Sequence, residues 1–450
     1  MKSPSTEGGW LPLAVVALCV VSAAVAAPQQ APSPAALAPP KEPAKALCVD
    51  EEAMTQGINA RQALSEGQRA FSVNLLRHLA ATSEGNLFVS PHSIYQALLL
   101  AYFTAAGHTE QSVKRVLQLP DGLGKMATLY AYKFDEKTLE QRALNSSSYE
   151  LSSANRLFID KSQSVRECLA AILQDAELKV MDFASDPAAA RASINQWVEN
   201  VTKGHIRDLI PEDGVHENTK LILANAAYFK GLWQSQFPAE NTHAEVFHIS
   251  SDKRSIVNMM KQKGSFNYKV SEQLGAHVLE LPYKGHDVSM YILLPPFVKG
   301  MGVEGTAGVS NGVDGILGAL TPDVVLDLVD DQLMPRQVEV AIPTFKVEQS
   351  ADLVQTLEAL GVGDLFKPTA NLTSLTGQPG ILFDRIMHKA KIEVDEQGTK
   401  AAGATALFAF RSSRPLTPIQ FICNHPFVYM LYDKGQKTVL FAGVYRTPKA

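Results

Sequence analysis

Gly308-Val309-Ser310-Asn311-Gly312 fits the GxSxG pattern, which presents a serine nucleophile when a buried strand leads in and a helix leads out. The residues around it are glycine-rich and polar, so no strand is there to hold Ser310 on a strained turn. Ser310 is given no catalytic role. His243 and His248 stand five residues apart, outside the spacing that puts two imidazoles on one helix face. His425 precedes Pro426-Phe427 and reads as a hydrogen-bonded interior residue. There is no HExxH, no phosphate-binding glycine loop and no paired CxxC. The usual enzyme constellations are missing or weak, and neither a metal nor a cofactor is expected.

The informative stretch is Gly398-Thr399-Lys400-Ala401-Ala402-Gly403-Ala404-Thr405, in which seven of eight residues are Gly, Ala or Thr. It follows an alternating run, Ala390, Ile392 and Val394 against Lys391, Glu393 and Asp395, which reads as a strand with one wet face. In isolation the small-residue run is a flexible loop. If the strand continued, Thr399, Ala401, Gly403 and Thr405 would share one face, with Lys400 on the other. Such a segment could enter the middle of a sheet, where bulky or charged inward residues are refused. Ala406 to Pro418 follows, with two arginines and two prolines.

The elements that must position this stretch are legible in part. Phe71, Leu75 and Leu79 mark one helix face. Ser90-Pro91 is a helix start, and Ile94, Ala97, Leu98, Ala101 and Tyr102 continue it. Gly107 reads as the end of that helix and Thr109 as the cap of the next. Later, Leu221 to Phe229, Val288 to Leu294 and Val338 to Phe345 suit buried strands, and Pro426 to Tyr432 with Thr438 to Val444 suits a hairpin. Helices early and strands late predict an α+β fold. Gly300 to Gly318, rich in Gly and Val, reads as a long surface loop.

The chain has 450 residues, 46% hydrophobic and 19% charged, with net charge −5. That composition buries a large core, and no dense Lys/Arg run offers a polyanion site. No nucleic acid and no membrane partner is expected. Leu11 to Val25 is an apolar run ending at Ala24-Val25-Ala26, which predicts a signal peptide over residues 1–26 and a secreted protein. Residues 27–61 read as a Pro/Ala-rich tail leading into the first helix, and 62–450 as one domain. Cys48, Cys168 and Cys423 then remain, consistent with one bridge plus a free thiol or with three buried thiols. Asn145, Asn200 and Asn371 open glycosylation sequons.

At this point the chain resembles the serpin family, over about residues 70 to 445. The resemblance rests on NLFVSPHSIYQALLL (86–100), INQWVENVTKGHIRDLI (194–210), NAAYFKGLW (225–233), HKAKIEVDEQGTKAAGAT (388–405) and NHPFVYML (424–431). Val362 stands where the family usually has Met, and the 300–318 segment is longer than usual. The resemblance implies an α+β serpin fold of about nine helices and three β-sheets, with an exposed reactive loop over about 396–420. It implies a monomeric, secreted suicide-substrate inhibitor of invertebrate type. Its partner would be a serine protease, held in a covalent 1:1 complex, and clotting, melanisation or immune cascades are the settings that secreted relatives suggest.

In that mechanism the protease forms an acyl-enzyme with the loop, and the cut loop enters the central sheet as a new strand. Displacing the protease's catalytic groups by about 1 Å costs on the order of 100-fold in rate, so the acyl-enzyme persists. Carried over by motif, Glu396 and Gly398 are the base of the loop, and Thr399, Ala401, Ala402, Gly403, Ala404 and Thr405 the hinge. Ser90, Ser93, Asn225 and His388 are the polar cluster beneath the sheet opening, with Trp233 at its top. The usual loop length places the cut at Ser412–Ser413; one residue earlier, Arg411–Ser412 offers the cation a trypsin-like pocket takes. Arg411–Ser412 is the first expectation and Ser412–Ser413 the alternative; Phe410 would imply a chymotrypsin-like target. Rival functions are a non-inhibitory carrier, chaperone or storage protein, and inhibition of cysteine proteases.

Overall fold

The computed structural model describes residues 59–145, 148–297, 310–329, 333–397 and 417–448. In chain order they form α1 (Ala60–Thr82), β1 (Leu87–Val89), α2 (Pro91–Thr104), α3 (Gly107–Val116), α4 (Lys125–Asn145), β2 (Tyr149–Asp160), α5 (Glu167–Glu177), β3 (Leu178–Met181), α6 (Pro187–Val201) and β4 (Leu221–Gly231). The second half adds β5 (His243–His248), β6 (Arg254–Ser271), β7 (Ala276–Pro282), β8 (Val288–Leu294), α7 (Ser310–Ala319), α8 (Pro322–Val329), β9 (Met334–Pro343), β10 (Phe345–Asp352), α9 (Val354–Leu357), α10 (Thr373–Thr376), β11 (Arg385–Val394), β12 (Ile419–Ile422), β13 (Phe427–Asp433) and β14 (Thr438–Tyr445). This is an α+β architecture, as the sequence predicts.

Helices begin where a side-chain oxygen meets an unpaired amide. Asn59 accepts from the Gln62 amide to start α1. Ser90 accepts from the Ser93 amide to start α2, with Pro91 in the first turn. Asp186 accepts from the Ala189 amide to start α6, again with a proline behind it. Nearly all of α2 is buried, Leu98 to Ala101 completely. Each such leucine is worth roughly 1.5–3 kcal/mol of burial, so α2 is the spine of the core.

A five-stranded sheet has the order β10-β11-β4-β2-β3, and a nine-stranded array runs β1-β14-β13-β8-β7-β6-β9-β12 with β5 on β6. The two smaller sheets expected from the family are continuous here through β6, whose first half pairs with β5 and whose end pairs with β7. The β13–β14 hairpin forms as read.

Three local readings are corrected. The run from Val338 to Phe345 is two strands, because Pro343 has no amide to continue the ladder and the chain turns at Thr344. Ser310 to Gly318 is not loop but part of α7, whose Val313, Ile316 and Leu317 are buried at helical spacing. Its glycines obscured the period. Gly107 is the first residue of α3, at φ +56°, rather than the end of the previous helix. Thr109 therefore lies inside α3, where its hydroxyl donates to Asp364.

Candidate functional site

The centre of the five-stranded sheet is a pair of parallel strands. β4 and β11 are hydrogen-bonded directly to each other from Arg385 opposite Ile222 to Ile392 opposite Phe229. Small residues line this seam: Ala224, Ala226 and Ala227 on β4 and Ala390 on β11. Side chains this small interlock little, so parting the strands sacrifices few contacts. The ladder groups freed by parting would need new partners.

Beneath the seam lies a polar row. His388, Asn225 and Asn155 stand opposite one another in register across β11, β4 and β2. The His388 Nδ1–H donates to Asn225 Oδ1, and the Ser90 amide donates to His388 Nε2 at 3.3 Å. Asn225 Nδ2 donates to the Ser93 carbonyl at 2.9 Å and to Asn155 Oδ1. The Ser93 hydroxyl donates to Asn155 Oδ1 at 3.2 Å, and the Ser90 hydroxyl to the Leu440 carbonyl at 2.8 Å. His388 is thus a neutral imidazole, donor at one nitrogen and acceptor at the other. Burial pushes its pKa down to about 3. Ser90, Ser93, Asn225 and His388 come together as read; Asn155 was missed.

At the upper end of the seam the chain beyond β11 is fastened to the segment after β4. Trp233 Nε1 donates to the Asp395 carbonyl at 2.9 Å, the Phe237 amide to the Glu396 carbonyl at 2.9 Å, and Gln236 Nε2 to the Gln397 carbonyl at 3.3 Å. Trp233 stacks on Tyr283 with ring centroids 4.4 Å apart. Trp233 is therefore separate from the polar row and grips the base of the segment that follows. Lys230, Lys346 and Lys391 surround Glu393. Burial pushes the Glu393 carboxyl upward, but these cations outweigh it and hold it below the usual range.

On the opposite face, α6 packs Ile194 and Val198 over Ala224, Ala226 and Tyr228. The loop after α6 reaches β11: Lys389 Nζ donates to the Arg207 carbonyl at 2.7 Å and Lys391 Nζ to the His205 carbonyl at 2.9 Å. His205 stacks on Tyr228 at 3.8 Å. These contacts lie across the seam and must yield if it parts.

The remaining candidates fall elsewhere. Gly398, the hinge Thr399 to Thr405, and Phe410, Arg411, Ser412 and Ser413 lie outside the described residues, as do the 1–26 segment, Cys48 and most of the tail. His243 and His248 point to opposite faces of β5, an odd number of residues apart. His425 Nε2 donates to the Pro295 carbonyl at 2.8 Å, an interior role. Asn145 ends α4, Asn200 is exposed near the end of α6, and Asn371 is half-buried with its Oδ1 accepting from Thr373. Cys168 is disulfide-bonded, and Cys423 is a buried free thiol. One bridge plus a free thiol is thus the arrangement present.

The family model described as "Serpin (serine protease inhibitor)" matches residues 66–448. The chain belongs to the serpin family. It is similar to "Serine protease inhibitor 88Ea" of Drosophila melanogaster, 38% identical over 409 residues, covering 87% of this chain and 92% of that one. It is similar to human antithrombin-III, 33% identical over 409 residues, covering 88% and 85%. Among solved structures it resembles Serpin48 of the insect Tenebrio molitor, at TM-score 0.71 and 28% identity, covering 86% of this serpin and 99% of that chain. Serpins as a family are inhibitors of proteases rather than catalytic enzymes, and relatives named as protease inhibitors support a protease as the general kind of partner.

Proposed function

We propose that this serpin is a secreted suicide-substrate inhibitor of trypsin-like serine proteases, cut at Arg411–Ser412. The observation that carries the reading is the directly bonded parallel pair β4 and β11, whose upper end grips Glu396 just before the small-residue run Gly398 to Thr405. A run of small residues rooted at the end of β11 can double back between two parallel strands and pair antiparallel with both. The protease would then be held in a covalent 1:1 complex, its deacylation slowed by about 100- to 1,000-fold for each oxyanion donor displaced. The signal peptide over 1–26, the sequons at Asn145 and Asn200, and a role in an extracellular protease cascade belong to the same proposal.

Incubation with trypsin tests it. The expected result is an SDS-stable complex and a released peptide beginning at Ser412. A peptide beginning at Ser413 would move the cut by one residue. Loop cleavage with trypsin left fully active would replace this reading with a non-inhibitory serpin, and complexes with chymotrypsin-like or cysteine proteases alone would reassign the target.

A further inference from the structure

Between the middle of α1, the last turn of α3 and the chain after α9 lies a crevice of about 230 Å³ that protease inhibition leaves without a role. α1 contributes Phe71 and Asn74, α3 contributes Arg115 and Val116, and the wide turn Glu358–Val362 contributes Leu360 and Gly361. Phe71 is buried, and Val116 and Leu360 are half-buried, so the floor is apolar. Gly361 has φ +112°, a conformation that residues with a side chain rarely adopt. A side chain begun there would lie 3.5 Å from Val116 Cγ2, so glycine also keeps this side of the mouth open.

The rim is cationic and has spare donors. Among the described residues, no carboxylate lines the crevice. The exposed Arg115 guanidinium meets no carboxylate among them either; its one bond runs from Nε to the Gln111 carbonyl, long at 3.4 Å. Asn74 is exposed, and its side-chain amide makes no hydrogen bond among the described residues. The other two lining residues are spent on backbone: the Ser112 hydroxyl donates to the Thr109 carbonyl at 2.8 Å and Gln118 Nε2 to the Arg115 carbonyl at 2.9 Å. Carbonyls at the end of a helix oppose an anion, but here they are occupied. Those of Val113, Lys114 and Arg115 accept from the Leu117, Leu119 and Gln118 amides.

We propose that this crevice binds a small organic anion, its carboxylate held by Arg115 and Asn74 and its apolar body laid on Phe71, Val116 and Leu360. A guanidinium takes a carboxylate through two parallel bonds. A single exposed ion pair is worth little by itself, so the apolar floor must supply the rest, and neither the acid group nor the apolar body suffices alone. A ligand of about ten non-hydrogen atoms suits this volume and is expected to bind with a dissociation constant on the order of 1 mM. The site does not rest on the inhibitory reading.

Phenylpropionate is the probe, with its uncharged analogue phenylpropanol as control. NMR of the Asn74 side-chain amide and of Arg115 Nε reports binding at the site without any protease. The expected result is a saturable shift of both signals by the acid. Affinity should be weaker by about fivefold or more for the alcohol, for Arg115→Gln, and for Asn74→Trp, which plugs the mouth. Both substitutions fall at exposed positions, so the fold survives them. Shifts that fail to saturate by about 10 mM, or an acid bound no better than the alcohol, overturn the proposal. Equal affinity in the Arg115→Gln variant places the anion elsewhere and overturns it too.

Discussion

His388 and Asn225 face each other across the parallel strands β11 and β4, and the imidazole donates its Nδ1–H to the Asn225 side-chain oxygen. One hydrogen bond thus spans the seam from below, between the two strands that must separate if a third is to enter. The Ser90 amide occupies the other nitrogen, which leaves no room for a second proton on the ring.

That arrangement makes stability depend on pH. His388 has its pKa lowered from 6.5 to about 3 by burial, so the unfolded chain takes up the proton first as pH falls. Its contribution is fully present above pH 6.5 and is lost progressively toward pH 3. By pH 5 the loss is about 2 kcal/mol. His92, lowered to about 4 by burial, acts in the same direction. Melting temperatures between pH 7.5 and 5 should fall more steeply in the wild type than in a His388→Asn variant. Equal slopes would show that the ring is not held neutral.

Asn225→Ala removes the centre of the row and leaves the His388 Nδ1–H and the Ser93 carbonyl without their partner. Stranding buried polar groups costs about 1–3 kcal/mol each. Denaturant unfolding of the uncut protein should register a loss of at least about 2 kcal/mol. A change below 0.5 kcal/mol, on the scale of an ordinary surface substitution, would mean that water replaces the side chain without cost.

Trp233→Phe keeps the ring on Tyr283 but deletes the donor to the Asp395 carbonyl. The expected cost is about 1 kcal/mol in the uncut protein. Exchange at the Phe237 amide, which bonds the Glu396 carbonyl, should accelerate. An unaltered exchange rate there would separate Trp233 from the grip on the loop base.

A bulky charge in the small-residue run tests the inserted-strand account. Ala401→Glu should leave cleavage by trypsin intact while the yield of SDS-stable complex falls about tenfold or more, because a carboxylate aimed into the sheet finds neither space nor water. Undiminished complex formation by this variant would rule out entry of that face.

The helix starts at Ser90 and the strand at Leu221 were legible because a cap or a continuous apolar run is a local signal. Asn155 was not. It lies in β2 with exposed Ser153 two residues away and buried Ala154 between them, and the polar Ser152 and Arg156 on either side leave no alternation to single it out. α7 was masked by glycines whose small side chains hide a helical period. The junction at Pro343 merged two strands because apolar character runs straight through it, and only the missing amide marks the break. The row of His388, Asn225 and Asn155 depends on register between strands distant in sequence, which no local pattern encodes.

The two strands flanking the seam point the same way, so a newcomer running against both meets an equivalent ladder on each side. Nothing in those backbone groups distinguishes the molecule's own segment from an identical one offered by a neighbour. A second proton on His388 would sit on Nε2 and displace the Ser90 amide, so acid loosens the polar row from below. Any condition that parts the seam also invites chain-to-chain linkage, and concentrated protein at low pH should form oligomers before its monomers unfold.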